Sequence, residues 1–92
     1  MTRIGFAQGY SPKLNVREMA DFVKQADERG YEMGFFSETI EVMRDSVSAM
    51  SAFALATKKI NIGCTQIVRL RTPIIHAQTV ATIDELSEGR FI

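Results

Sequence analysis

Met33-Gly34-Phe35-Phe36 is an unbroken apolar run between Gly30 and the polar residues Ser37-Glu38-Thr39. A run this short indicates a strand rather than a helix, and its apolar character is typical of a strand buried on both faces. Strands of this kind occur in parallel sheets that are covered by helices. The stretch therefore predicts a parallel sheet, with a polar loop at the carboxyl end of this strand.

Other short runs rich in β-forming residues repeat the pattern at a spacing of about thirty residues. They cover residues 4–7, residues 60–64 and residues 90–92. This spacing matches a strand, a crossover helix and the return to the next strand. The sequence therefore predicts three βαβ repeats, with a fourth strand beginning at Arg90.

The first interval predicts an amphipathic helix. Asn15 followed by Glu18 is a capping-box pattern, which indicates a helix start, and Gly30 indicates the helix end. Apolar residues recur at helical spacing between these points. The predicted buried face consists of Val16, Met19, Ala20, Val23 and Ala26.

The next two intervals also predict helices. Asp45 is the expected N-cap of the second helix, and Lys58-Lys59 suits its negative C-terminal end. Thr72-Pro73 predicts the start of the third helix, because proline is favoured at the first helical position, and Gly89 predicts its end. The predicted buried face of the second helix consists of Val47, Met50, Ala54 and Thr57.

The predicted fold class is α/β with a parallel sheet, either a (β/α)8 TIM barrel or a doubly wound sheet. Neither the dinucleotide-binding nor the P-loop glycine motif follows a predicted strand, which weakens the doubly wound alternative. A complete barrel needs about 250 residues. Residues 1–92 are therefore expected to be the N-terminal part of a single barrel domain, with the first three βα units and the start of strand 4.

Composition and charge argue against several classes of function. The 92 residues include 11 Lys and Arg and 11 Asp and Glu, so no basic surplus exists for nucleic acid or an anionic membrane. No apolar run reaches the roughly 18 residues of a spanning helix, and a cytoplasmic location is expected. Cys64 is the single cysteine and has no Cys/His cluster around it, so neither an internal disulfide nor a metal site is expected.

Candidate site residues lie where the predicted strands end, because parallel α/β folds bind ligands at the carboxyl ends of their strands. Gln8 follows the first strand, Glu38 follows the second, and Gly63, Cys64 and Thr65 complete the third. Glu38 is the candidate catalytic residue, since a carboxylate in a partly dry pocket can accept a proton or bind a heterocycle; a salt bridge is the alternative. The backbone at Gly63 can approach a flat ligand, and a tight turn is the alternative.

Other reactive residue types have ordinary structural interpretations. Cys64 is expected to be a small hydrophobe rather than a nucleophile, and His76, the single histidine, is expected to be a packing or solvent residue of the third helix. Arg69 and Arg71 fit either an anion clamp or the more frequent helix-end ion pairs. Most methionines and phenylalanines, Phe35 among them, are expected in the core.

Two stretches around the third predicted helix carry a family resemblance: Arg71-Thr72-Pro73 at its start and ATIDELSEGRFI, residues 81–92, at its end. Weaker matches are Ala26-Asp27-Glu28-Arg29-Gly30-Tyr31 and Phe36-Ser37-Glu38. Together they resemble the bacterial luciferase-like monooxygenase family, including its deazaflavin-dependent reductases of the methylenetetrahydromethanopterin reductase type. The resemblance extends along the whole chain in the family's order.

The resemblance implies a (β/α)8 barrel that binds FMN or the deazaflavin coenzyme F-420 and transfers hydride or activates oxygen. It implies Glu38 at the pocket and Gly63, Cys64 and Thr65 against the isoalloxazine ring, where many members have a bulge with a non-proline cis peptide. Together with Gln8, which its position at the end of the first strand selects, these are the predicted cofactor-binding residues. It also implies a small-molecule substrate and a homodimer or other homo-oligomer.

The chain departs from the family pattern at two positions. Thr39 stands where luciferase-type members often have a histidine, and Ala7 stands where the methanogenic reductases carry a glutamate. The segment 63–71 is also shorter than usual. An alternative from another functional class is a non-catalytic barrel fragment that self-associates through open sheet edges.

Overall fold

The computed structural model describes residues 3–8, 13–37, 45–65 and 71–92. Strands and helices alternate along the chain as predicted. Their order is β1 (Gly5–Gln8), α1 (Val16–Glu28), β2 (Met33–Ser37), α2 (Ser46–Ala56), β3 (Asn61–Thr65) and α3 (Pro73–Leu86).

The bounds of β1 and β3 each lie one residue later than predicted. At β3 the reason is a side-chain contact, because the N–H of Ile60 donates to the Asp27 carboxylate at 2.7 Å instead of joining the strand ladder. Ile60 is nevertheless buried, which explains why its apolar character suggested a strand residue.

The three strands form a parallel sheet in the order β1-β2-β3. The predicted fourth strand is confirmed at its start, since Phe91 forms a parallel bridge to Ile62 on β3. The N–H of Ile62 donates to the Arg90 carbonyl and the N–H of Ile92 donates to the Ile62 carbonyl, both at 2.9 Å. Strand order therefore follows chain order without the reversal of a doubly wound sheet, and this edge of β3 is partly occupied by the chain itself.

Side chains of the sheet alternate between two faces. The helix face carries Phe6, Gly34, Phe36, Ile62 and Cys64, which are packed with the helices in the hydrophobic core or border it. The opposite face carries the residues between them: Gly5, Ala7, Met33, Phe35, Ser37, Asn61, Gly63 and Thr65.

The core lies between the helix face and the three helices. Phe36 and Phe53 are fully buried and meet edge to face, with ring centroids 5.9 Å apart. Gly34 lets α1 approach closely, since a Cβ there would lie 3.2 Å from Cγ1 of Val23. The buried hydrophobic residues are Met19, Ala20, Val23, Ala26, Phe36, Ala49, Met50, Phe53, Ala54, Ile60, Ile62 and Ile83.

The predicted helix starts are confirmed at all three helices. Asn15 and Glu18 form the reciprocal capping box, Asp45 accepts from the Ser48 N–H at 2.8 Å, and Thr72 caps α3 ahead of Pro73. The four buried residues of α1 belong to its predicted face.

The buried face of α2 is confirmed at Met50, Ala54 and Thr57 and differs from the prediction at Val47. Ser46, Ala49, Met50, Phe53 and Ala54 are buried in the helix, whereas Val47 is only half-buried. Apolar residues surround α2 on nearly every side, so periodicity alone cannot identify the stripe that faces the sheet.

None of the helices in the described ranges is both long and apolar enough to cross a membrane.

Candidate functional site

The carboxyl ends of the three strands lie side by side. Gln8 is in register with Phe36, which is in register with Cys64, and Ser37 is in register with Thr65. The sheet therefore brings the predicted candidates of β1 and β3 to one edge, where the loops that follow β1, β2 and β3 begin.

Cys64 lies on the helix face of this edge. Its side chain is half-buried and packs against the hydrophobic core, in the same row as Phe36. The interpretation of Cys64 as a small hydrophobe fits this position. If Cys64 binds a cofactor as predicted, it would do so through its backbone, because its side chain lies on the face opposite to those of Gly63 and Thr65.

Gly63 lies on the opposite face, between the side chain of Phe35 and the chain end at Ile92. A Cβ at this position would lie 3.0 Å from the Ile92 carbonyl oxygen, and 3.1 and 3.2 Å from Cε2 and Cδ2 of Phe35. Within the described residues, the close neighbours of Gly63 are therefore Phe35 and Ile92, and the predicted approach of its backbone to a flat ligand stays a prediction.

Ser37 and Thr65 form the polar rim of this face. They follow Phe35 and Gly63 by two residues on their strands and so share the same face, with Ser37 half-buried and Thr65 exposed. Each hydroxyl can donate one hydrogen bond and accept others. An apolar surface topped by two hydroxyls suits a flat heterocyclic ligand that has polar groups on its edge.

Phe35 borders the candidate site, although it was expected in the core with the other phenylalanines. Its ring is half-buried on the face opposite the helices, whereas the ring of Phe36 is fully buried against Phe53. The signal that could have identified Phe35 is the alternation of side chains along β2, which places two adjacent residues on opposite faces of the sheet.

Arg71 joins the N-terminal ends of α2 and α3 at the same edge of the sheet. Its Nη2 lies 3.4 Å from Oγ of Ser46, which is fully buried, and 3.8 Å from Oδ1 of Asp45. Of the two alternatives predicted for Arg71, these contacts fit an ion pair at a helix end rather than an anion clamp.

His76 lies in the first turns of α3 and is half-buried. Its Nδ1 is buried without a hydrogen-bond partner in the described ranges, and no hydrogen bond there connects the ring to a carboxylate or a nucleophile. This environment agrees with a packing residue.

Glu38, the predicted catalytic residue, lies outside the described residues, as do Thr39 and Arg69. Their roles stay predictions. The described segments contain no cis peptide bond and no group of His, Cys, Asp and Glu that could hold a metal ion.

At the amino ends of the strands, Arg90 donates hydrogen bonds to groups at the C-terminal ends of α2 and α3 and in the turn before β3. Its Nη1 donates to the Thr57 hydroxyl (2.7 Å) and the Ile60 carbonyl (2.9 Å). Its Nη2 donates to the carbonyls of Ala54 (3.0 Å) and Thr57 (3.1 Å), and its Nε donates to the Ser87 carbonyl (2.7 Å). Arg90, rather than the predicted Lys58-Lys59, thus satisfies the carbonyls at the C-terminal end of α2.

Asp27 binds the backbone of the turn before β3, at the same end of the sheet as Arg90. Its carboxylate accepts the backbone N–H groups of Lys58 (2.7 Å), Lys59 (3.1 Å) and Ile60 (2.7 Å). Desolvation raises the pKa of Asp27, but these hydrogen bonds and the charge of Arg90 together outweigh it and hold the pKa below its ordinary value. Asp27 is therefore ionised at neutral pH and holds the turn that leads into β3.

Comparison with known proteins supports the architecture. The sequence matches the family model described as luciferase-like monooxygenase over residues 1–92. A similar solved structure is the coenzyme F420 dependent tetrahydromethanopterin reductase from Methanopyrus kandleri, which is 25% identical with a TM-score of 0.84; the match covers 98% of this chain and 25% of that chain.

Two monooxygenases have a similar fold. The oxygenating constituent of 3,6-diketocamphane monooxygenase from Pseudomonas putida, in complex with FMN, is 20% identical (TM-score 0.84, covering 100% of this chain and 28% of that chain). Monooxygenase RslO1 from Streptomyces bottropensis is 18% identical (TM-score 0.78, covering 98% and 31%). The described elements match the start of a luciferase-like TIM barrel, and the chain spans less than a third of the length of each of these structures.

Proposed function

The chain belongs to the luciferase-like monooxygenase family, and from this premise we propose that it forms the N-terminal part of a flavin- or deazaflavin-dependent oxidoreductase. The observation that carries the proposal is the family match along residues 1–92. The sequential parallel strands support it, because they fit the first part of a single (β/α)8 barrel. We place the protein in the cytoplasm, as a homodimer or other homo-oligomer that acts on a small-molecule substrate.

The proposed cofactor is FMN or coenzyme F-420. The names of the similar proteins support this pair, since one is an F420-dependent reductase and another was solved with FMN. When bound, such a ring accepts or donates the electrons of the reaction, and the protein supplies orientation and electrostatics.

The carboxyl edge of the sheet is the proposed cofactor site. Ser37 and Thr65 would hydrogen-bond the polar edge of the ring, and the backbone at Gly63 and Cys64 would lie beside it, with Gln8 at the end of β1. Glu38 follows Ser37 directly, so its proposed role is to position the substrate or accept a proton from it.

The first test is the absorbance spectrum and intact mass of the complete protein after native purification, followed by titration with FMN and with F-420. We expect one of the two to bind and to show its ring absorbance on the protein. If neither binds, the proposed function is wrong. The variant Glu38→Gln tests the proposed role of this carboxylate: we expect a large fall in kcat.

A further inference from the structure

Phe35 presents a large aromatic ring on the face of the sheet opposite the helices. Its neighbours in register are Ala7 on β1 and Gly63 on β3, so small residues flank it on both sides. The ring leans towards β3, where its Cδ2 and Cε2 occupy the space that a side chain at position 63 would need. Phe35 and Gly63 therefore form one apolar layer across two strands.

This layer lies directly below the polar rim. Ser37 and Thr65 are two residues further along the same strands, a step of about 7 Å towards the carboxyl edge. A flat ligand that hydrogen-bonds these hydroxyls and extends into the barrel would therefore meet the Phe35 ring next. Aromatic rings favour offset or edge contacts with other π systems, so this contact is attractive.

We propose that Phe35 is the floor of the cofactor pocket and sets how deeply the cofactor ring enters between the strand ends. In this arrangement the Phe35 ring and the Ile92 carbonyl oxygen together leave no room for a side chain at Gly63. The inference rests on the proposed function, and it adds a positioning residue that the predicted site lacked.

The first experiment compares two leucine substitutions in the complete protein, Phe35→Leu and the matched control Phe36→Leu. The two residues are adjacent on β2, but Phe36 is fully buried on the helix face. Affinity for FMN and F-420 is measured by ring fluorescence, and unfolding midpoints are measured in urea.

We expect Phe35→Leu to weaken cofactor binding about tenfold, with an unfolding midpoint close to wild type. Phe36→Leu is expected to lower the midpoint and leave the affinity of the folded protein unchanged. Equal affinity of Phe35→Leu and wild type overturns the inference while the proposed function stands. A wild-type protein that binds neither cofactor overturns both.

A double-mutant cycle tests the link between Phe35 and Gly63. We expect Gly63→Ala to weaken cofactor binding strongly in the wild-type background and much less in the Phe35→Leu background, because leucine leaves more room. The Ile92 carbonyl, 3.0 Å from the added Cβ, is the same in both backgrounds and cancels from the difference. An equal effect of Gly63→Ala in both backgrounds contradicts the proposed layer.

Discussion

The two ends of the sheet use their polar residues in opposite ways. At the amino end, Arg90 and Asp27 direct their charged groups at backbone carbonyls and N–H groups of the chain itself. At the carboxyl end, Ser37 and Thr65 place hydroxyls on a rim that borders the Phe35 ring. Parallel α/β folds concentrate stability at the first end and ligand binding at the second. The contacts of Arg90 and Asp27 agree with the first part of that division, and the proposed cofactor site would agree with the second.

The comparison also explains what the family motifs encode. The fairly specific stretch of residues 81–92 contains Ser87, whose hydroxyl accepts from the Arg90 N–H at 3.1 Å, and Arg90 itself, and the weaker match at residues 26–31 contains Asp27. All three residues stabilise the amino end of the sheet. In these two stretches, the residues that resemble the family therefore form the framework of the sheet, whereas Phe36-Ser37-Glu38 lies at the proposed site.

Among substitutions at the amino end of the sheet, we expect the loss of the Arg90 side chain to lower the free energy of unfolding most. Arg90→Ala leaves the carbonyls of Ala54, Thr57 and Ile60 without their donor, and we expect a loss of about 3 kcal/mol in the free energy of unfolding. Urea unfolding of the complete protein measures it. The control is Arg29→Ala, an exposed arginine bonded to Gln25, expected to cost less than about 0.5 kcal/mol; similar losses for both variants would contradict the assignment.

Replacing Asp27 tests the same end through pH. Its folded-state pKa lies below the unfolded value of about 3.9, so its stabilisation is present above that pH and is lost as pH falls through the folded pKa. We expect Asp27→Asn to cost about 2 kcal/mol at pH 7 and the gap to wild type to narrow below about pH 4.

Urea unfolding at a series of pH values measures this gap. The control is Asp21→Asn on the exposed side of α1, where the carboxylate contacts the Gln25 amide at 3.2 Å. We expect less than about 0.5 kcal/mol at pH 7 for this variant. A gap for Asp27→Asn that stays constant to pH 3 is incompatible with the proposed role.

The C-terminal ends of α1 and α3, which both lie at the amino end of the sheet, differ in the residue that adopts a positive φ. Both helices end in the same hydrogen-bond pattern. In α1 the N–H of Gly30 donates to the Asp27 carbonyl and the N–H of Tyr31 donates to the Ala26 carbonyl. In α3 the N–H of Glu88 donates to the Glu85 carbonyl and the N–H of Gly89 donates to the Asp84 carbonyl. Gly30 has a φ of 83°, and Glu88 has a φ of 56° at the position where α1 has glycine. Gly89, the predicted terminator of α3, comes one residue later with a φ of 84°.

We expect substitutions at these two positions to have opposite signs. Gly30→Ala should lower the free energy of unfolding by about 1 kcal/mol, because alanine is strained at positive φ. Glu88→Gly should raise it by about 0.5 kcal/mol for the same reason. Thermal unfolding of the two variants checks this, and a destabilised Glu88→Gly would mean that the glutamate side chain contributes more than its backbone strain costs.

The rim of the carboxyl end should show the smallest effect on stability. Ser37→Ala and Thr65→Val remove one hydroxyl each and are expected to change the free energy of unfolding by less than about 0.5 kcal/mol. They are expected to weaken binding of FMN or F-420 several-fold, measured by fluorescence titration. A large loss of stability without a loss of affinity would place these residues with the framework.

Local signals in the sequence determined the elements of this protein. Asn15, Asp45 and Thr72 cap their helices because a short polar side chain reaches the N–H groups of its own first turn, and this depends only on near neighbours. The thirty-residue spacing and the apolar run at Met33 predicted the parallel strands, and Phe91 forms a parallel bridge to Ile62 where a fourth strand was predicted to begin.

Only the tertiary structure decided how those elements are used. Phe35 and Phe36 are identical in type, yet one borders the candidate site and the other is in the core, because strand alternation and helix packing select the face. The contacts of Asp27 and Arg90 span about thirty residues of sequence. Such pairings depend on how the βα units stack, which no local pattern encodes.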